Sequence, residues 1–95
     1  MSISHAEITR KKITRGSILT MLYVSQSAPM LVQTIELALL PENPQISGEM
    51  VPNINFLADR GYIAVIHPEE PGVNPMRGAL VRITDKGQDV VEGTI

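Results

Sequence analysis

Two short phrases in the C-terminal half of the chain decide its fold. The first reads Leu57-Ala58-Asp59-Arg60-Gly61-Tyr62-Ile63, and the second reads Leu80-Val81-Arg82-Ile83-Thr84-Asp85-Lys86-Gly87. In the first phrase Arg60 suits the last turn of a helix, and Gly61 can take the left-handed conformation that ends one. In the second phrase apolar and polar residues alternate as in a half-buried strand, and Thr84 is a good N-cap for a following helix. Together they predict helix, glycine stop, strand, loop, strand and helix start.

The helix that leads into the first phrase has a regular apolar face. Apolar residues recur at i, i+4, i+7 and i+8 from Met50 to Ala58, which is the spacing of one helical face. Pro52 is unfavourable inside a helix and favourable at its first position. We therefore expect a loose or 3₁₀ first turn from Ser47, followed by a regular helix from about Pro52 to Arg60.

The N-terminal quarter of the chain predicts another helix. A capping-box pattern at Ser4 can begin a helical extension over residues 1–12. The pattern from Ile13 to Val24 is helical, but Gly16 weakens its middle. A restart with Thr14 as N-cap therefore stays open.

The segment between these helices is strongly apolar. With Pro29 at an early helical position, a helix is expected over Met30–Leu40, and Pro41 should end it. Its expected buried stripe consists of Leu31, Ile35, Ala38 and Leu39. Core packing explains such a stripe, and a dimer contact is the alternative.

The end of the chain completes an α+β, mainly α, architecture. Residues 67–78 are rich in Pro and Gly and should form a long loop between two antiparallel strands. After Gly87 a short helix is expected over residues 88–93, with Val90 or Val91 docked on the core. The prediction is a single domain of residues 1–95, with three core helices, a two-stranded hairpin and a C-terminal helix.

Composition narrows the range of functions. The chain has 95 residues, a net charge of −2 and an aromatic content of 3%, so its core must be aliphatic. The absence of cysteine excludes disulfides, thiol catalysis and cysteine zinc sites, and it fits a cytoplasmic location. No stretch has the length of a membrane span or the pattern of a secretory signal. We expect no membrane partner.

No catalytic or metal-binding pattern stands out. The two histidines, His5 and His67, have no carboxylate at helical ligand spacing, so no metal is expected. The serines have no histidine partner in prospect, and no glycine-rich phosphate loop is present. We expect neither enzymatic activity nor a cofactor.

The two phrases resemble those of the winged helix-turn-helix superfamily, and most of all the MarR-like and PadR-like bacterial transcriptional regulators. The pattern Leu-x-x-x-Gly-x-Ile of these regulators is matched by Leu57, Gly61 and Ile63. Their hydrophobic-Thr-x-x-Gly phrase is matched by Ile83 to Gly87. Arg77 stands where an arginine is common at the start of the second wing strand. The resemblance covers roughly residues 13–91 and implies a winged-helix fold.

The resemblance also implies duplex DNA as the partner. Residues 47–60 would be the recognition helix, and its outward residues would be Glu49, Pro52, Asn53, Asn55, Phe56 and Asp59. Asn53 and Asn55 would contact base edges. The full set of candidate DNA-binding residues is Arg10, Lys11, Lys12, Arg15, Ser47, Asn53, Asn55, Arg60, Arg77 and Arg82.

Charge favours a second interpretation. The expected recognition helix carries Glu49 and Asp59 against Arg60, whereas DNA readers usually carry cations there. The alternative is a winged-helix protein–protein interaction module that uses Phe56 and Tyr23 as anchors. A homodimer is expected, and because the terminal helices of the MarR-like family are missing, it would use the N-terminal segment or the surfaces near these two aromatic residues.

Overall fold

The computed structural model describes residues 5–25, 28–66 and 78–93. Its elements follow in the order α1 (His5–Val24), β1 (Met30–Leu31), α2 (Val32–Leu39), α3 (Ile46–Asp59), β2 (Ile63–Ile66), β3 (Leu80–Ile83) and α4 (Asp85–Glu92). The α+β, mainly helical class predicted from the sequence is confirmed. No helix in the described ranges is both long and apolar enough to cross a membrane.

The three strands form one antiparallel sheet in the order β1-β3-β2. Ile63 pairs with Ile83 and Ile66 pairs with Leu80 across β2 and β3. The predicted alternation in β3 is confirmed, because Val81 and Ile83 are buried while Arg82 is exposed. Residues 67–77 of the predicted loop lie outside the described residues.

The two phrases meet at a single junction. Gly61 has a φ of +78°, and the amides of Gly61 and Tyr62 donate to the carbonyls of Ala58 and Leu57 at 3.0 Å each. This is the Schellman ending of a helix. Thr84 Oγ1 accepts from the amide of Gly87 at 3.1 Å and donates to the carbonyl of Gly61 at 2.6 Å. The predicted glycine stop and threonine cap are thus confirmed, and one hydroxyl joins them.

The core is aliphatic, as the composition predicts. Its fully buried side chains are Ile18, Leu22, Ile35, Ile46, Met50, Ile54, Leu57 and Val81. They come from α1, α2, α3 and β3, so the helices and the sheet enclose one apolar cluster. Val90 and Val91 of α4 are partly buried against it, as expected, although α4 begins directly after Thr84 rather than at residue 88.

The alternative of a helix restart at Thr14 is wrong. α1 runs unbroken through Gly16 and includes the extension predicted at the N-terminus. Thr14 does not cap a new helix, since its hydroxyl donates to the carbonyl of Arg10 at 3.0 Å. Glycine costs a helix about 1 kcal/mol relative to alanine, and the burial of Ile18 and Leu22 offsets this cost.

The expected helix over Met30–Leu40 is correct only from Val32. Met30 and Leu31 are extended and pair with Val81 and Leu80 of β3, and the amide of Val32 donates to the carbonyl of Ala79 at 3.0 Å. Pro29 therefore precedes a strand and not a helix. Backbone pairing with a distant strand sets this conformation, which helical periodicity cannot reveal.

The predicted buried stripe of the second helix is only partly correct. Ile35 is buried and Leu39 is partly buried. Leu31 and Ala38 are exposed, and Val32 is buried instead. The shift follows from the true start of α2, since Val32, Ile35 and Leu39 share one face at spacings of three and four.

The third helix begins earlier than predicted. α3 starts at Ile46 and contains Pro52 in its interior, so the expected regular start near Pro52 is wrong. A proline there removes the bond to the carbonyl of Gly48. Pro52 lies on the exposed side, and buried Ile46 and Met50 hold the turn that precedes it against the core.

Candidate nucleic-acid interface

α3 presents one continuous outward row. Its exposed residues are Ser47, Gly48, Val51, Pro52, Asn55 and Asp59, and they recur at spacings of three and four as on one helical face. Ser47 and Asn55 are the neutral hydrogen-bonding side chains of this row. Among these residues there is no cation, and Asp59 is the single acid.

Asn53 does not belong to the outward row, so its predicted outward position is wrong. It is 3% exposed. Its Nδ2 donates to the carbonyl of Glu49 at 2.8 Å, and its Oδ1 accepts from Arg15 Nε at 3.0 Å. Asn53 shares the buried face of α3 with Met50 and Leu57, and Arg15 of α1 satisfies its polarity there.

Glu49 also points away from the outward row. Its Oε1 lies 3.1 Å from Arg10 Nε, and the pair is partly buried, with side chains 46% and 18% exposed for Arg10 and Glu49. Asn43 donates to the other oxygen at 3.1 Å. Glu49, one of the two acids that weaken a DNA-binding interpretation, is therefore neutralised by α1, and one cation of the N-terminal basic run is used in doing so.

Phe56 is neither outward-facing nor a free anchor. It is partly buried against the core, and Arg15 lies 3.5 Å from its ring centroid. Arg60, which is exposed, lies 4.7 Å from the same centroid. Cation–π contacts of this kind hold both guanidinium groups beside α3.

Three of the remaining basic candidates are exposed. Lys11 and Lys12 project from α1, and neither forms an ion pair within the described ranges. Arg82 is exposed on β3 opposite Ala64. Arg77, the wing candidate, lies outside the described residues.

Tyr23 is tied to the C-terminal helix. Its hydroxyl donates to Glu92 Oε2 at 2.8 Å. This bond, and then the negative charge of Glu92, raise the pKa of the Tyr23 phenol. Because the folded-state pKa lies above the ordinary tyrosine value of about 10, the contribution to stability is present at neutral pH and is lost as the pH rises through the raised pKa.

Two further features bear on function. In the parts of the chain that the structure describes, no group of three or more His, Asp or Glu side chains could hold a metal ion.

An open apolar depression of about 390 Å³ is lined by Thr20, Met21, Val24, Ser25 and Met30.

Sequence reasoning missed how α1 and α3 join. Arg15 and Asn53 are 38 residues apart, so no local pattern links them. One signal was available for Asn53 itself, since it stands three residues after Met50 and four before Leu57, on the face already assigned to the core.

Comparison with known proteins gives one informative likeness. No protein-family model matches the chain, and no curated protein matches it. The fold is similar to the crystal structure of a "putative transcriptional regulator" from Thermoplasma acidophilum, with a TM-score of 0.73. The chain has a winged-helix fold. The two sequences are 16% identical, and the match covers 95% of this chain and 81% of the other.

At this identity the likeness shows the fold alone. The winged-helix fold predicted from the two phrases is confirmed, with α2 and α3 as the helix-turn-helix pair and β2–β3 as the hairpin. A third strand, β1, was not predicted. The closer resemblance to MarR-like and PadR-like regulators stays a prediction.

Proposed function

We propose that the protein is a transcriptional regulator that binds duplex DNA through α3 and the β2–β3 hairpin. The observation that carries this proposal is the outward row of α3, which is exposed among the described residues and can enter the major groove. Asn55 and Ser47 would meet base edges. We also propose that the protein is cytoplasmic and that it has no enzymatic activity.

Exposed cations of α1 and β3 would contact the phosphates. Lys11, Lys12 and Arg82 are exposed and form no ion pair with another described residue, and Arg77 would act from the wing. Arg10 contributes less, because Glu49 already neutralises it. Phosphate contacts supply affinity without sequence preference.

Neutralising two of these cations tests the proposal. Lys11→Gln/Lys12→Gln should weaken binding equally for unrelated duplexes, because the lost contacts are to phosphates. The slope of log affinity against log salt should flatten by roughly 2, at about 0.9 per phosphate contact. Fluorescence anisotropy with labelled duplexes across a salt series measures both quantities.

Lys86→Gln is the matched control. Lys86 lies at the start of α4, with its ammonium 5.6 Å from the Tyr62 ring centroid, and it is not among the proposed contacts. Its loss should leave the slope unchanged. A Lys11/Lys12 variant that loses affinity for one sequence only would show that these residues are not backbone contacts.

We further propose a homodimer that forms through α1. Residues 5–13 of this helix are exposed throughout, and isolated helical turns are marginal in water. Ile13 and Val24 are 64% and 73% exposed, and they share one face with Ser17 and Thr20, beside the apolar depression. A second copy of the same face would cover these residues symmetrically.

Light scattering coupled to size exclusion tests the dimer. The protein should elute with twice the chain mass of 10.4 kDa, and Ile13→Glu should halve that mass while keeping the helical signal. Leu37→Glu, at a 59% exposed position on α2, should remain dimeric. A wild type of single-chain mass at micromolar concentration contradicts the proposal.

A protein-interaction module is the second candidate function. The absence of cations from the outward row of α3 favours it, together with the 46% exposure of Val51 in that row. Phe56 and Tyr23 are poor anchors, since guanidinium groups lie against Phe56 and Glu92 binds Tyr23. A protein partner would instead contact Val51 and Pro52. Failure to bind DNA at low salt would favour this candidate.

A further inference from the structure

Two guanidinium groups share the ring of Phe56. Arg15 and Arg60 lie 3.5 Å and 4.7 Å from its centroid. Their guanidinium carbons can be no farther apart than these two distances together, about 8 Å. Neither group forms an ion pair with another described residue. Two like charges held this close, with no carboxylate of the described residues paired to either, form a favourable site for an anion.

A hydrogen bond to the buried Asn53 fixes the orientation of the Arg15 side chain. Its Nε donates to Asn53 Oδ1 at 3.0 Å, and the Asn53 amide is anchored in turn by donating to the carbonyl of Glu49 at 2.8 Å. Asn53 is 3% exposed, so this anchor is part of the core. The bond uses Nε and leaves the donors of both terminal nitrogens of Arg15 for another acceptor.

We propose that Arg15 and Arg60 form a clamp for one backbone phosphate of duplex DNA, with Phe56 as its platform and Asn53 as a positioning residue. This inference rests on the proposed function and specifies one of its phosphate contacts. A guanidinium donates two parallel bonds to phosphate oxygens, which a lysine ammonium cannot do. With the guanidinium carbons no more than about 8 Å apart, one phosphate beside the ring would accept from both groups.

Replacing both arginines by lysine distinguishes the bidentate clamp from a general electrostatic attraction to DNA. Arg15→Lys/Arg60→Lys keeps the net charge but removes both planar forks, so affinity for a mixed-sequence duplex should fall about tenfold at every salt concentration. The slope against salt should stay unchanged, because the number of cations is unchanged. The reverse exchange, Lys11→Arg/Lys12→Arg, should not weaken binding.

A separate measurement shows whether each variant still folds. Arg15 is partly buried, so each variant is melted by circular dichroism. If the double variant lacks a cooperative transition, Arg60→Lys alone at its exposed position should still weaken binding about threefold.

The outcomes distinguish the clamp from the proposed function. If the wild type binds DNA and the lysine variants bind equally well, the clamp is overturned and the function stands. If the wild type binds no DNA, the function fails, and NMR of the arginine Nε–H groups with inorganic phosphate decides the clamp. Shifted Arg15 and Arg60 resonances would then support an anion site, and unshifted resonances would overturn it.

Discussion

Gly87→Ala should destabilise the fold by about 3 kcal/mol or more, a large share of the stability of a small domain. A Cβ at this position would overlap the carbonyl oxygen of Tyr62 and approach Ile83 Cγ1 to 2.8 Å. The backbone of Tyr62 cannot yield easily, because its carbonyl accepts from the amide of Thr84 at 3.0 Å. Gly87 lets α4 press against the junction of the two phrases.

Gly16→Ala is the matched control. Nothing lies within 4 Å of a Cβ at Gly16, and the residue is inside a helix, so alanine should stabilise the protein by roughly 0.5–1 kcal/mol. Urea unfolding followed by circular dichroism compares the two variants. Equal midpoints for Gly87→Ala and the wild type would disprove the close contact.

Leu57→Ala should cost about 2–5 kcal/mol, through lost transfer free energy and the cavity left behind. Leu57 is 1% exposed and is a member of the core cluster. Its carbonyl accepts from the amide of Tyr62 at the end of α3. The same residue therefore packs in the core and takes part in the hydrogen bonds that end the helix. The midpoint of urea unfolding should fall.

Leu37→Ala makes the same chemical change at a solvated site. Leu37 is 59% exposed on α2, so its truncation should change stability by less than about 0.5 kcal/mol. If Leu57→Ala were as mild as Leu37→Ala, the first phrase would not hold the core together.

Local chemistry explains what the sequence could predict. The Gly61 stop, the Thr84 cap and the alternation in β3 depend on neighbours within a few residues, and all three are confirmed. β1 has two residues and depends on pairing with a strand some fifty residues away, so periodicity could not find it. The unbroken α1 likewise depends on burial that outweighs the local weakness of Gly16.

The candidate site was predicted less completely than the fold. The exposure of Asn55, Lys11 and Lys12 agrees with their predicted roles, which remain predictions. Asn53 and Glu49 face α1 because Arg15 and Arg10 provide partners there, and such non-local pairs leave no pattern in the sequence. The ion pair between Arg10 and Glu49 also weakens the objection that α3 is too acidic to bind DNA. Glu49 is neutralised, and Asp59 remains the acid of the outward row.

The most direct test of the central claim is the salt dependence of wild-type binding to mixed duplex DNA. We predict measurable affinity at about 50 mM salt and a linear fall of log affinity with log salt, with a slope steeper than about −2, since Lys11 and Lys12 alone would contribute nearly that much. Absence of binding at low salt, or an affinity that salt does not change, would contradict a DNA-binding function for this winged helix.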